Sequence, residues 1–439
     1  MKRYSLLFAC LFFFAAGSRA QEQLPTRWTL RACLDYALEH NIQVKKSKVS
    51  YLSGQEDTEL AKAQLFPSLS ASVTQGFVNY PSTDALSSNS YSGNYSVNAN
   101  WTLFDGNRRT HVIQQQKIQN EVDELNVEQS EDDIRIALVQ AYMQLLYATE
   151  AVGINQNTVE VSEAQRNRAA DLLEAGSISQ VDFAQLESQL STDKYQLVVA
   201  RTNLENYKLQ LKQLLELDIA EDIEVTVPPL SEAEVMAPLP DKQVIYNTAL
   251  SVMPEIKSGE LNIGIAELEI KKARAGYLPS LSLNAGIGTG HLSGTDYAFG
   301  SQMWNKFNES VGLTVSIPIF SNRTNKTAVN KAKLAVTTSR LDLLNAQKGL
   351  LKTVEGIYLD AVSAQTQFIS ASENLNFVKQ SYDLTQEQFF LGMKNTVELL
   401  TEKNNYLAAR QQVLQSKYMA VMSIQLLNIY QKKPVGENY

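Results

Sequence analysis

From Asn107 to Leu173 the chain contains no proline and one glycine, Gly153. At about 1.5 Å of rise per residue, a helix of that length is roughly 100 Å long, several times the width of an ordinary globular domain. A chain that carries it must be elongated, and the helix needs partners along its whole length. Its apolar residues Ile134, Leu138, Ala141, Leu145, Ala148 and Val152 alternate steps of four and three, the spacing of a coiled-coil seam. Leu350, Val354, Ile357, Ala361, Ala364 and Phe368 repeat those steps 216 residues later. The chain is therefore read as a tandem duplication whose unit is built around one very long packed helix.

Each copy reads in the same order. In the first, residues 21–217, a helix from about Leu30 to Gln64, with breaks expected near Asn41 and Gly54, precedes a β-hairpin over about 68–104. The long helix over about 107–173 and a helix over about 180–217 follow. In the second, residues 242–432, a helix over about 242–276 precedes a hairpin over about 280–320, a long helix over about 325–390 and a helix over about 394–431. Pro228, Pro229, Pro238 and Pro240 mark an irregular connection over 218–241, and 433–439 is a tail. AQLFPSLS (63–70) matches AGYLPSLS (275–282) at an offset of 212, whereas Phe104 and Phe320 match at 216. The four extra residues belong between the strands of the second hairpin, where insertions are tolerated.

Leu69, Ala71 and Val73 alternate with polar residues, as do Tyr95, Val97, Ala99, Trp101 and Leu103, and then Val311, Leu313, Val315, Ile317 and Ile319. Each hairpin thus has an apolar and a polar face. After the first twenty residues no segment has eighteen apolar residues in a row, so any membrane crossing would be made by strands. Four strands left open in hydrocarbon would leave backbone groups unpaired, whereas three copies would supply twelve, an even number within the range of closed outer-membrane barrels. Tyr80, Tyr91, Trp101, Phe104, Trp304, Phe307 and Phe320 fall near strand ends, where aromatic girdles form at the membrane interface. The alternative is a soluble sandwich with one buried face, for which two hairpins beside such helices are poorly suited.

Lys2 and Arg3, the apolar run Leu6 to Ala16 and Ser18-Arg19-Ala20 have the form of an export signal peptide over 1–20, with the mature chain starting near Gln21. A competing reading makes Leu7-Phe8-Ala9-Cys10 a lipid-attachment box. Loss of Lys2, Arg3 and Arg19 takes the formal charge from -8 to -11, which argues against a nucleic-acid partner. Cys33 is then the single cysteine, and an intramolecular disulfide is excluded. His40, His111 and His291 have no metal-ligand or triad spacing, and there is no phosphate loop, so neither an enzyme nor a cofactor is expected.

The Leu30 to Asn41 pattern, Phe66-Pro67-Ser68-Leu69 and Leu278-Pro279-Ser280-Leu281 before the strands, Trp101-Thr102-Leu103-Phe104-Asp105-Gly106 before the long helix, and the breaks at Gly176 and Gly392 occur in duplicated order. Together, over nearly the whole mature chain, they resemble the TolC-like outer-membrane efflux proteins. The resemblance implies an α+β membrane protein, a homotrimer whose two hairpins per copy form a twelve-stranded β-barrel in outer-membrane lipid. An α-barrel of long antiparallel coiled-coil helices would continue it through the periplasm. It implies a passive exit duct for drug efflux, opened by a periplasmic adapter and driven by an inner-membrane transporter of RND or ABC type. The same duct serving type I protein secretion is the close alternative, and a periplasmic coiled-coil adapter or scaffold without a pore is a reading of a different class.

By the same resemblance, Glu174 to Asp182 and Phe390 to Glu398 are the periplasmic tips, where Gly176, Ser177, Ile178, Gly392, Met393, Asn395 and Thr396 would dock the adapter. Asp182 and Glu398, at matching positions of the repeat, would ring the entrance, and Lys394 would link neighbouring helix pairs through a latch to Asp182. Phe389 stands where a tyrosine hydroxyl can help hold the entrance closed, and Thr401 stands where some members carry another acid, which argues against a second acidic ring. The plainer reading is that the glycines stop helices and the acids favour helix starts.

Overall fold

The computed structural model describes residues 27–79, 89–218 and 220–436. The expected signal over 1–20 with Cys10, the aromatic Tyr80, most of the first hairpin loop and the last three residues of the tail lie outside the described residues.

Helix α1 (Leu30–His40) starts where Thr29 Oγ1 accepts from Ala32 N at 3.2 Å. It stops at Asn41, whose side chain accepts from Gln43 N at 2.8 Å to cap α2 (Ile42–Ala63) and donates to Leu214 O at 3.0 Å. The second expected break, at Gly54, does not occur. That glycine serves close packing instead, since a Cβ there would lie 2.6 Å from Asp123 Oδ2 of the neighbouring long helix.

Strands β1 (Ser68–Asn79) and β2 (Asn89–Phe104) form the first hairpin, and α3 (Arg108–Glu174) and α4 (Gln180–Leu215) complete the first copy. One short turn of helix, α5 (Glu232–Val235), interrupts the connection. The second copy holds α6 (Lys242–Val252), α7 (Pro254–Ala275), β3 (Ser280–Leu292), α8 (Phe299–Asn305), β4 (Asn308–Ser316), α9 (Thr324–Phe390) and α10 (Thr396–Tyr430). Pro254 at the first position of α7 splits the helix expected over 242–276, because proline starts helices and cannot continue them. Helix α8, which the sequence pattern did not announce, lies in the second hairpin loop. Strand β4 ends at Ser316, short of the expected 320, because Pro318 has no N–H to give a ladder.

Helices α3 and α9 each run 67 residues, and Leu138, Leu145, Val354 and Ala361 of their seams are fully buried. On one side of α3 pack α4 and α2; on the other lie α10 and α7, which also pack on α9. The helices thus form a slab in the order α2/α4, α3, α7/α10, α9. Its largest apolar cluster surrounds the middle of α3, where Leu138, Leu145 and Leu146 meet Trp28, Leu211, Leu215 and Ile223. Tyr142 Oη reaches Thr226 O at 3.1 Å there, so the proline-marked connection folds back on the helix midpoint. Burial pushes the Cys33 thiol up to about 12, which leaves it unreactive.

The strands make one antiparallel sheet in the order β1-β2-β3-β4. Its register keeps the faces apart: Leu69, Ala99, Ala285 and Val311 stand in one cross-strand row, and Ser70, Asn98, Gly286 and Ser310 in the next. The apolar face is uncovered, with Leu69 75% and Val311 79% exposed. Among the described residues neither β1 nor β4 has a second neighbour. Among the described residues no helix is long and apolar enough to cross a membrane.

Candidate functional site

The two tips are built alike. Gly176 and Gly392 adopt left-handed φ values of 68° and 74°. Ser177 N bonds Leu172 O at 2.8 Å and Gly176 N bonds Leu173 O at 2.9 Å; Met393 and Gly392 repeat this with Gln388 O and Phe389 O at 2.9 and 3.0 Å. This is the helix ending that a left-handed glycine permits. Ser179 and Asn395 then cap α4 and α10, each in a reciprocal box with the acid three residues on, Asp182 and Glu398. The acids expected at the entrance are therefore also structural caps.

Their electrostatics differ. Asp182 Oδ2 accepts from Ser179 Oγ at 2.6 Å, and this bond holds its carboxyl below the ordinary value. Thr396, expected among the docking residues, is instead fully buried at the start of α10, and its nearby hydroxyl adds a smaller pull on Asp182. Glu398 is held low first by Lys394, whose Nζ lies 2.5 Å from Glu398 Oε1. The expected Lys394–Asp182 latch is thus not made within the chain: Lys394 reaches the acid four residues along its own segment, and Asp182 is taken by its cap. Among the described residues no cation pairs with Asp182.

Both carboxyls titrate below their ordinary values, so they stabilise the tips above the ordinary carboxylate range, and this contribution is lost as pH falls through the depressed values. Hydrogen exchange should show the amides of Asp182 and Glu398 protected at about pH 6 and losing protection as pH falls below the ordinary carboxylate range. Ser179→Ala should abolish protection at Asp182 alone. Protection factors constant across that range would mean the boxes do not hold the tips.

Ile178 packs with a cluster of Ala169, Leu186, Tyr382, Phe389 and Leu399 that ties the two tips together. Phe389 is 5% exposed inside it, and two turns away Tyr382 Oη accepts from Gln165 Nε2 at 2.8 Å. Ser177, Met393 and Asn395 are exposed, and Val181, Leu391 and Val397 beside them also present apolar surface to solvent. One further group escaped the sequence reading: Ser162, Asp193 and Lys403, a buried polar cluster above the tips. Its signal was a charge at seam spacing, Asp193 seven residues after Leu186 and Lys403 four after Leu399.

At the far end of the molecule Trp101, Phe104 and Phe320 lie at the helical end of the sheet, where Trp101 Nε1 donates to Leu65 O at 2.8 Å, and Tyr91 and Trp304 lie at the other. Phe307 does not join either girdle as expected: it directly precedes Asn308, whose row holds Gly288 and Ser96, midway between Tyr91 and Trp101, because β4 starts there. All are exposed. The ten steps from Tyr91 to Trp101 span about 34 Å along the strand, or about 26 Å along the normal at a tilt of about 40°, which fits the apolar band of outer-membrane barrels.

The model for the outer membrane efflux protein family matches residues 33–216 and again 245–428, once in each copy. The chain is 21% identical over 432 residues to the outer membrane efflux protein BepC of Brucella suis, covering 97% of this chain and 91% of that protein. It is 21% identical over 393 residues to the outer membrane protein TolC of Escherichia coli, covering 86% and 77%. Among solved structures CusC superposes with a TM-score of 0.79 at 17% identity over 94% of each chain, which shows a shared fold. With both halves matched and the channel fold common to them, the chain belongs to the outer membrane efflux protein family.

Proposed function

We propose that three copies of this chain close into a passive exit duct through the outer membrane and periplasm. The observation that carries this reading is that sheet and slab end in the same two open edges. Strand β1 follows α2 and β4 leads into α9, so one edge is β1 with α2/α4 and the other is β4 with α9. Both helical edges expose apolar residues: Ile42, Val49 and Leu60 of α2 with Val181 and Leu209 of α4, and Leu334, Leu341, Leu359, Phe377 and Leu384 of α9. Two unlike edges that fit each other join head to tail, and such contacts make a closed ring when the rotation closes. Pairing β4 with β1 of the next copy leaves no edge in lipid, and three copies give twelve strands.

In that ring the apolar sheet face meets lipid and the serine and asparagine face lines the lumen. The exposed apolar tips suit the hairpin of a periplasmic adapter, through which an inner-membrane RND-type or ABC-type transporter would drive export. Relatives named an efflux protein and a toxin and drug export protein support efflux, and relatives named protease secretion proteins keep protein secretion as the second reading. Three copies of Asp182, with Glu398 shared by Lys394, would make a cation-attracting neck. Single-channel recording in a planar bilayer should give a cation-selective current blocked by multivalent cations added on the tip side. Asp182→Asn/Glu398→Gln, which keeps cap acceptors but removes charge, should lose most of that block. An unchanged block would refute the acidic neck, and the absence of any current from inserted protein would refute an open duct.

A further inference from the structure

Where the helices meet the sheet, the outer surface of the molecule carries cations that no acid answers. Arg274 and Lys271 lie one and four residues before the end of α7, and Lys326 is the third residue of α9. By helix rise all three fall within about 6 Å of the helix ends. Lys117 and Lys333, each nine residues after the start of its helix, stand about 14 Å below. All five are exposed, and among the described residues none forms an ion pair. The acids at this level are already engaged: Glu59 with Lys62, Asp105 with Arg109, Glu267 with Arg340 and Glu269 with Lys272. Unanswered cations are the more telling in a chain whose formal charge is -8.

The hand of the chain decides which way they point. Ser293 N donates to Tyr91 O and Tyr91 N to Ser293 Oγ, so the backbone groups of Tyr91, an apolar-face residue on a strand running toward the helices, point at β3. For L-residues this sets β1 to β4 from right to left when the apolar face is viewed with the helices below, and α2, α3, α7 and α9 follow in that order. A right-handed helix turns about 100° per residue. On descending α9, whose Leu343 packs on Gly259 of α7 to its right, Lys326 and Lys333 therefore stand roughly a quarter-turn outward. The same construction turns Lys117 of α3 and Lys271 and Arg274 of α7 to the outside. It turns Glu255, Glu269 and Asp342 inward, and these three line one crevice between α3, α7 and α9. The inner-face cations of this level, Arg108 and Lys272, stand beside Glu269. Charge is thus sorted across the wall, with carboxylates toward the lumen and unanswered cations toward the outside.

The outer surface just beyond a barrel's apolar band meets lipid headgroups, a layer about 5–8 Å deep on each side of the hydrocarbon. Trp101 and Phe104 mark where that layer begins at the helical end. Arg274, Lys271 and Lys326 fall inside it, and Lys117 and Lys333 lie within about one Debye length, about 8 Å, of its lower edge. We propose that these five side chains form a collar that binds the anionic headgroups of phospholipids in the periplasmic leaflet. This rests on the ring reading above. The collar fixes the depth of the barrel and draws charged lipid to its wall, and it leaves the acidic lumen untouched. An acidic protein would be attracted by the same cations, but it cannot lie against a surface at headgroup depth.

The test uses Trp101, at the helical end of the sheet, as its reporter. Trp304→Phe removes the tryptophan at the other end, and Trp28, 2% exposed, gives a constant background. The full-length Trp304→Phe channel is reconstituted in phosphatidylcholine vesicles with increasing fractions of phosphatidylcholine or phosphatidylglycerol brominated high in the acyl chain, and Trp101 fluorescence is read. The expected result is half-quenching at an at least about threefold lower fraction of the anionic lipid, with that preference lost at about 1 M salt. Lys271→Gln/Arg274→Gln/Lys326→Gln/Lys333→Gln, all at exposed positions without ion pairs, should fold and be quenched equally by both lipids. Equal quenching by both lipids in the parent would overturn the collar. A preference that survives in the variant, or in the parent at high salt, would do the same, since the anionic lipid would then be held elsewhere. Absence of quenching by either lipid would overturn the barrel reading and the collar with it.

Discussion

Val73→Arg should abolish insertion into the outer membrane, while Asn98→Arg, on the opposite face, should insert normally. Val73 pairs with Tyr95 and is 69% exposed on the apolar face, three strands away from Glu309, the acid of that face, which pairs with Ile287. Tyr95 lies between Tyr91 and Trp101, so the substitution places a guanidinium near the midplane of the apolar band. A cation there costs about 2–4 kcal/mol per chain, and a ring of three would bear it three times. Asn98 pairs with Gly286 on the opposite face, where a guanidinium would stand in the aqueous lumen and turn selectivity toward anions. Heat-modifiable migration and membrane fractionation would read insertion, and reversal potentials would read selectivity. Equal insertion of both variants would mean that the apolar face does not meet lipid.

That contrast was available from the sequence because a strand's period of two fixes which side chains share a face. The same holds for the seams of α3 and α9, where steps of four and three over many turns leave one way to bury Leu138 and Val354. Short or context-dependent features were harder. Helix α8 is seven residues in a loop, too short for a period, and the end of β4 was written in Pro318 but overridden by the apolar alternation through Ile319. At the tips the glycines and the acids Asp182 and Glu398 were read from local sequence, whereas the caps Ser179 and Asn395 that bind those acids were not, although their spacing is local. The partner of Lys394 was not: a latch to Asp182 and a bridge to Glu398 use the same residue types, and only coordinates separate them. Lys403 finds Asp193 across 210 residues of sequence, and no periodicity names a partner at that distance.

Lys403→Met should destabilise the helical end of the molecule by about 3–5 kcal/mol, because it leaves the Asp193 carboxylate buried with no cation. Ser162→Ala removes two hydrogen bonds to charged groups, one accepted from Lys403 Nζ and one donated to Asp193 Oδ2, and should cost about 1.5–3 kcal/mol for each. Asp193→Leu/Lys403→Met should recover most of the loss, since a buried pair replaced by apolar side chains of similar volume is often neutral or stabilising. Hydrogen exchange of the α4 and α10 amides beside the pair, compared with amides of the sheet, would localise the effect. If the single and double variants are equally destabilised, the packing of the lysine stem rather than its charge holds the helices. If the double variant is stable yet its coils slip, the pair is present for geometry rather than for stability, since apolar packing would then hold the helices together without fixing their register.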